Sequence, residues 1–453
     1  MASTRILARY VAGLKFEDLP ERVVARAKVH LLDGLGCLLA GTRGGPAKTA
    51  ADMLARLCVK ADQANIYTGN TRGSARDAAF ANAMSLYSVG LNDVHTASVA
   101  HPGGCVIPVV LAISEWKRIS GRDMLAAMIA GYEVTARIGR SVMPSHRERG
   151  FHATGTFGAF GASAAAARLL LLDGEQTANT FGIAGSQAAG LFEFHRDGAL
   201  TMVFHAARAA QNGVEAALLT LSGLTGPCTV LEGERGFCRA TSNAFDEAVL
   251  TSGLGEHFEI EETSFRPYYG CSSTIAASGA TAMLMRKLGV KSPDEVAAID
   301  VRCHKVVAHD NAEADPQTLL AARLSMPFNV SLVMARGDVV TADVYESDLF
   351  DPTVRASLDL VHLHEDASMP RFGCSMHMKL RDGRSAEVAN LMPRGDARHP
   401  LTWEDVVEKF CRLTSAVLRD SGAAAVIEAV HNLEGGDGAA LALCLRDAID
   451  FLE

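Results

Sequence analysis

The sequence predicts a mainly α fold: a large helical domain interrupted by a smaller α+β insert. Three observations carry that expectation. Seventy-two of the 453 residues are alanine, the strongest intrinsic helix former. Aromatic residues make up only 6% of the chain, too few for the half-buried faces of an all-β protein. Strand-type alternation is confined to one region, between about residues 265 and 402.

The elements follow in order. Glu21 to Leu39 places Val24, Ala27, Leu31, Leu35 and Leu38 on one stripe at helical spacing. Ala75 to Leu91, Gly121 to Ile138, Gly158 to Leu172 and Ala206 to Leu221 repeat the pattern, and their Ala and Gly content permits close helix–helix approach. Loops are expected at Gly41–Pro46, His101–Gly104 and Gly223–Pro227. Past Phe265, Ala298 to Val307 alternates as a strand and Pro316 to Ala335 reads as helix. Cys374 to Asn390 reads as a hairpin turning at Arg381-Asp382-Gly383-Arg384. Thr402 with Asp405 forms a capping box that opens a helix over Val406 to Leu418. The expected division is therefore a helical domain from 1–264 and 403–453, with the α+β segment at 265–402 inserted into it.

Composition excludes several function classes. Lys and Arg total 43 against 52 Asp and Glu, a net charge of −9, so no nucleic-acid partner is expected. The ten cysteines, Cys58 among them, are scattered with no C-x-x-C pair, which reads as reduced thiols in a cytoplasmic protein. Met1 to Phe16 lacks the apolar core of a signal peptide. The most apolar run, Ala162 to Leu172, carries Arg168 and is too short to span a bilayer, so no membrane association is expected.

The densest chemical cluster is Asn92-Asp93-Val94-His95 followed by His101-Pro102-Gly103-Gly104. An aspartate paired with an imidazole fixes its tautomer and raises its basicity, the usual route to a general acid or base near neutral pH. The structural alternative has Asp93 as a cap and His95 packed. The spacing matches no zinc motif, and no metal is expected. A second cluster, Arg147 to Gly155, sets Arg149 and His152 before a Gly-rich helix start. Arg suits carboxylates, whereas Gly155, Gly158 and Gly161 lack both the spacing and the preceding strand of a dinucleotide loop. A third stretch places His205 and Arg208 on the first turns of an Ala-rich helix, facing either an anionic pocket or a salt-bridge partner. The last, Phe265-Arg266-Pro267-Tyr268-Tyr269-Gly270-Cys271, sits at the domain boundary, where clefts favour ligands. Arg266 there is a carboxylate anchor, and Cys271 reads first as a small core residue. No G-x-S-x-G, Walker A loop, Rossmann fingerprint or H-E-x-x-H is present. What remains is acid/base chemistry without a cofactor.

Taken together these stretches resemble the MmgE/PrpD family. The resemblance rests on Ala27-Lys28 with Leu31 to Gly36, Asn92 to His95, His101-Pro102-Gly103 and Gly150 to Gly155. It extends through Gly223 to Pro227 with Leu231-Glu232-Gly233, and Leu324-Ser325-Met326-Pro327-Phe328. It implies a large helical domain, an α+β lid, a homodimer and an active site between the domains. It places the family's aspartate on Asp93 and its two histidines on His101 and His152. Four positions depart from decarboxylase-like members: Met202 stands for a lysine, Arg266 for a lysine, Cys271 for a histidine and Phe328 for a tyrosine. Met cannot carry charge and Phe lacks the phenolic proton, so decarboxylation of cis-aconitate or dehydration of 2-methylcitrate does not simply carry over.

The reading from sequence is a cofactor-independent lyase that removes a proton beside a carboxylate or carbonyl of a small anionic substrate. Arg266, with Arg149, would hold the carboxylate; His101, oriented by Asp93, would move the proton; His152 would be the opposing acid. His95, Met202, His205, Cys271 and Phe328 complete the expected substrate contacts. Epimerisation of a small dicarboxylate by 1,1-proton transfer fits the same groups. The alternative from another class is an inactive carboxylate-binding member that has lost chemistry with Met202 and Phe328.

Overall fold

The structure is a computed structural model that describes residues 2–57, 61–268, 270–337, 347–419 and 421–451; Cys58 and Tyr269 lie outside them. The fold is mainly α with only small sheets, as the composition predicts. The chain separates into two compact units, Met1–Ser264 with Thr402–Glu453, and Phe265–Leu401.

In the first unit the predicted helices occupy Glu21–Gly41, Ala75–Ser88, Gly121–Val142, Ala153–Leu169 and Thr201–Leu221. Ser74 and Ser120 cap two of them by accepting from the main-chain N–H of Asp77 and Asp123. Two boundaries differ from expectation. His101–Gly104 is not a loop: Pro102 opens the helix Pro102–Lys117 at its first turn, and His101 is the residue before it. The helix expected from Gly158 begins at Ala153, because its early glycines serve packing and not a turn. A Cβ on Gly155 would lie 2.5 Å from the Ala189 carbonyl, and one on Gly158 would lie 2.4 Å from Cys105 Sγ.

The Ala153–Leu169 helix is the axis of this unit, buried along nearly its whole length. It packs against Gly121–Val142, Pro102–Lys117 and Thr201–Leu221. Contact is at backbone distance. A Cβ on Gly161 would fall 1.8 Å from Thr135 Oγ1 and 2.6 Å from the Gly131 carbonyl, and one on Gly213 would fall within 2.6 Å of three Ala162 and Ser163 atoms. The C-terminal return opens with the predicted capping box, Thr402 with Asp405, on the helix Trp403–Thr414. That helix lies on Glu21–Gly41, where Lys409 Nζ reaches Asp33 Oδ1 at 2.6 Å and the Leu91 carbonyl at 2.7 Å. Burial raises the Asp33 carboxyl pKa and Lys409 only partly offsets it. Among the described residues no helix is long and apolar enough to cross a membrane.

The second unit is built on a four-stranded sheet in the order Val361–Glu365, Val296–Cys303, Cys374–Leu380, Ser385–Asn390. The first pair is parallel and the others antiparallel. The hairpin turns at Gly383 with φ +94°, the conformation that an Asp-Gly turn requires. The strand at 361–365 escapes sequence reading because two of its five residues are histidines. The strand expected to run to Val307 stops at Cys303, where His304 caps the short helix Lys305–Asp310. The helix expected over 316–335 is two pieces, Leu319–Leu324 and Met326–Arg336; Ser325 divides them by capping the second. Ile275–Leu288 and Met326–Arg336 bury Ala277, Leu284, Met326 and Val330 in one core with Val296, Val301 and Met376.

This packing makes a stability prediction. Gly161→Ala and Gly213→Ala each force a methyl into backbone or a fixed hydroxyl and are expected to cost about 2 kcal/mol or more. Gly13→Ala, with nothing within 4 Å of the added carbon, is expected to be neutral or slightly stabilising. Urea melts of the three variants check this; equal midpoints would refute the close-packing account.

Candidate active site

Asp93 is 3% exposed and sits against the first turn of the helix Pro102–Lys117. Its Oδ1 accepts from the Gly103 N–H at 3.2 Å, its Oδ2 accepts from the Tyr132 hydroxyl at 2.6 Å, and His30 Nδ1 lies 3.5 Å from Oδ2. Donors from a helix N-terminus suit a carboxylate. Gly103 is obligatory here, because a Cβ would lie 2.8 Å and 2.9 Å from the two carboxylate oxygens and 2.6 Å from the Tyr132 hydroxyl. Burial and then Asp93 itself push the Tyr132 phenol well above its ordinary pKa, so it stays a donor.

The expected pairing of the Asp93 carboxylate with His101 is not what holds that ring. His101 Nδ1 donates to the main-chain carbonyl of Asp93. A carbonyl accepts only, so Nδ1 carries the proton and Nε2 is the basic nitrogen. The His101 main-chain N–H donates to Thr154 Oγ1 at 3.2 Å, and the Tyr87 hydroxyl donates to the same oxygen at 3.1 Å. The Tyr87 ring stands edge-on to His101 at 5.5 Å and to His152 at 6.4 Å between centroids. Thus the two predicted histidines, one before each of two buried helices, both contact one tyrosine.

His152 is 6% exposed, and its Nδ1 lies 3.2 Å from His205 Nδ1. Phe192 and Phe194 close over it at 6.2 Å and 5.1 Å. Burial lowers the His152 pKa to about 3, with His205, Arg147 and His146 adding to the effect. Burial also lowers His205. His152 is therefore neutral at physiological pH, in contrast to the protonated acid that the sequence suggests.

The remaining predicted residues distribute as follows. His95 is fixed by its own surroundings: the Ser98 N–H donates to Nδ1 at 3.2 Å, and Nε2 lies 3.1 Å from Glu259 Oε2. Burial opposes ionisation of Glu259, but His95 and Arg140 outweigh it and hold that carboxyl low. Arg149 is exposed and reaches Asn243 Oδ1 at 3.4 Å. Its neighbour Arg147, stacked over Phe192 at 4.5 Å, is the guanidinium that acts on His152. Arg208 is also exposed and donates to Gln211. Met202 is half-buried on the first turn of Thr201–Leu221. In the second unit Arg266 is 9% exposed with Nη2 3.2 Å from Ser272 Oγ. Cys271 Sγ accepts from Asn311 at 3.4 Å, and Phe328 is fully buried.

Sequence reading missed Tyr87, Thr154, Tyr132, His30 and Arg147. Tyr87 and His30 did carry a signal, as polar groups on the apolar faces of Ala75–Ser88 and Glu21–Gly41. Choosing Arg147 over Arg149 required the third dimension.

Acid stability follows from these pKa values. Burial lowers His146, packed on Phe151 and Phe157, to about 4. An imidazole whose native pKa lies below its unfolded value takes up its proton on unfolding. Stability is full above about pH 6.5 and is lost as pH falls towards the native values. Between pH 7 and 4.5 the expected loss is on the order of 2–3 kcal/mol for each of His146 and His152. Denaturant unfolding at both pH values measures it. His146→Phe should remove its share; an undiminished loss in that variant would show the attribution to be wrong.

Comparison with known proteins agrees with the motifs. The MmgE/PrpD N-terminal domain matches residues 5–249 and the MmgE/PrpD C-terminal domain matches residues 268–435. The chain is 27% identical over 465 residues to the cis-aconitate decarboxylase-like protein oryM of Aspergillus oryzae, covering 95% of this chain and 94% of that one. It is 28% identical over 452 residues to the cis-aconitate decarboxylase of Homo sapiens, covering 95% and 92%. To the cis-aconitate decarboxylase of Aspergillus terreus it is 28% identical over 297 residues, covering 63% and 60%. With both domains matched in order along most of its length, the chain belongs to the MmgE/PrpD family.

Proposed function

We propose that this protein is a cofactor-independent lyase that removes a proton from a carbon next to a carboxylate or carbonyl of a small anionic substrate. The observation that carries the reading is the pair of imidazoles on Tyr87, one with a defined basic nitrogen and one held neutral. The relatives' activity on cis-aconitate supports a lyase acting on a small carboxylate.

In this scheme His101 Nε2 takes the proton, and the Asp93 carbonyl stabilises the imidazolium that forms through its bond to Nδ1–H. A buried neutral imidazole is a poor proton source. His152 instead supplies a hydrogen bond to the charge that develops on the substrate, a role open to an uncharged ring. Arg266 is the proposed carboxylate anchor, from the motif match. β-Elimination of a hydroxyl is the favoured outcome, since Met202 and Phe328 remove the lysine and tyrosine of decarboxylase-like members; the C–O bond then breaks as the His101 imidazolium returns its Nε2 proton to the leaving oxygen, so that water departs and His101 is again neutral. Epimerisation of a small dicarboxylate by 1,1-proton transfer is the second reading, with His101 Nε2 returning to the same carbon the proton it has taken. A cytoplasmic homodimer belongs to the same proposal.

The test uses a panel of di- and tricarboxylates, cis-aconitate included, in deuterated buffer, followed by proton NMR. Loss of a C–H signal next to a carboxylate is expected with the wild-type enzyme, and the products separate elimination, epimerisation and decarboxylation. His101→Ala should lower exchange by roughly 10²- to 10⁴-fold. His152→Ala should lower turnover by roughly 10²-fold or more. Wild-type exchange in His101→Ala would remove it as the base, and no exchange with any panel member would favour a carboxylate-binding role without chemistry.

A further inference from the structure

We infer that His205 is a positioning residue: its Nδ1–H donates to His152 Nδ1, so that His152 presents Nε2–H as its donor. The inference rests on the role given to His152 above and specifies which of its nitrogens acts.

Geometry supplies the argument. Two imidazole nitrogens 3.2 Å apart hold one proton between them, since two N–H groups facing each other repel and two lone pairs make no bond. One ring must therefore be protonated at Nδ1 and the other unprotonated there. The pair is also built in. His152 directly precedes the helix Ala153–Leu169, and its main-chain N–H donates to the Gly190 carbonyl at 2.9 Å, which fixes its backbone. His205 stands on the first turns of Thr201–Leu221. Glycines clear its space: a Cβ on Gly155 would lie 3.0 Å from His205 Cβ, and one on Gly190 would lie 3.3 Å from His205 Nδ1 and 3.4 Å from His152 Cβ. Gly190 has φ +150°, and it lies where the 150–152 and 190–192 segments pair.

Burial decides which ring donates. His152 is enclosed by Tyr87, Phe192 and Phe194, while His205 is half-buried. The charged or titratable groups acting on His152 are His205, Arg147 and His146, each cationic when protonated. Tyr87 faces it as a neutral phenol. A proton added to the pair therefore goes to the more solvated ring, His205, and that state makes His205 the Nδ1 donor. The neutral pair keeps the same arrangement, because the exposed ring solvates a bare Nε2 at lower cost. His205 Nδ1 is then engaged by His152, a role that the sequence reading, which gave His205 to substrate contact, did not foresee.

The direct test is nitrogen-detected NMR of protein labelled with ¹⁵N-histidine, near pH 7. The expected result is His152 protonated at Nε2 and His205 at Nδ1; the opposite pair of tautomers overturns the proposal. His205→Asn keeps an amide N–H near the Nδ1 position. It should hold the His152 tautomer and keep kcat within about 3-fold. His205→Phe keeps the ring without the donor. It should mix the His152 tautomers and lower kcat roughly 10- to 100-fold with KM little changed, the usual cost of losing a partner that orients a functional histidine. Equal losses in the Asn and Phe variants, with His152 unchanged by NMR, would assign His205 a packing role. Because the tautomers are read without substrate, the inference stands or falls separately from the proposed reaction.

Discussion

The site depends on one buried carboxylate. A carboxyl group buried inside a helical domain is costly without hydrogen-bond partners. It is met by the N–H of Gly103 at a helix start, the Tyr132 hydroxyl of a second helix and His30 of a third. These contacts fix three helices relative to one side chain. They also fix the main chain of Asp93, whose carbonyl takes the Nδ1 proton of His101. The aspartate thus acts on the neighbouring histidine through its backbone, while its carboxylate is committed to holding the framework. Lys409 extends the arrangement: it neutralises Asp33 and binds the Leu91 carbonyl, two residues before Asp93. The C-terminal return of the chain therefore braces the loop that carries the site.

Side-chain volume sets the second constraint. His152 and Thr154 belong to the start of a helix that approaches its neighbours to backbone distance at Gly161 and Gly213. Such contact leaves little freedom to slide or rotate. The ring of His152 and the hydroxyl of Thr154, which joins Tyr87 to His101, inherit that rigidity. An alanine-rich, aromatic-poor composition thus lets the helices hold the side chains of the candidate site closely. Three aromatics, Tyr87, Phe192 and Phe194, lie around His152.

Much of this was legible in the sequence, and the failures have physical causes. Helical periodicity located the helices because each buries a stripe. The Thr402 capping box and the Asp-Gly turn were readable because each is set by local geometry. Boundaries failed where a rule has two solutions. Pro102 reads as a loop marker but is equally suited to the first turn of a helix. In the site, Asp93, His101 and His152 stood out because polar groups cluster around them in sequence. Tyr87 lies five residues before its cluster, and His30 more than sixty residues from Asp93, so their contributions were invisible to spacing. The two arginines show the limit most clearly. Arg147 and Arg149 have identical chemistry and lie two residues apart, and only folding sends one to Phe192 and the other to the surface.

The environments of the two histidines differ, and the proposed reaction gives them different roles. His101 is half-buried and has a carbonyl on Nδ1, so protonation at Nε2 is assisted by an adjacent dipole. His152 is enclosed by aromatic rings, faces a second imidazole and feels a nearby guanidinium, and each of these opposes a charge on it. Separating two like groups by environment is the general means of assigning a base and an electrophile within one site. It also revises the view of the chain's charge. With a net charge of −9, an anionic substrate would ordinarily call for the chain's cations to gather at one place. In the first unit Arg149 and Arg208 instead lie on the surface, and what lies beside the histidines is Arg147 with neutral donors. Neutral hydrogen-bond donors favour charge as it develops without holding the anionic ground state equally tightly, and that difference is what accelerates a reaction.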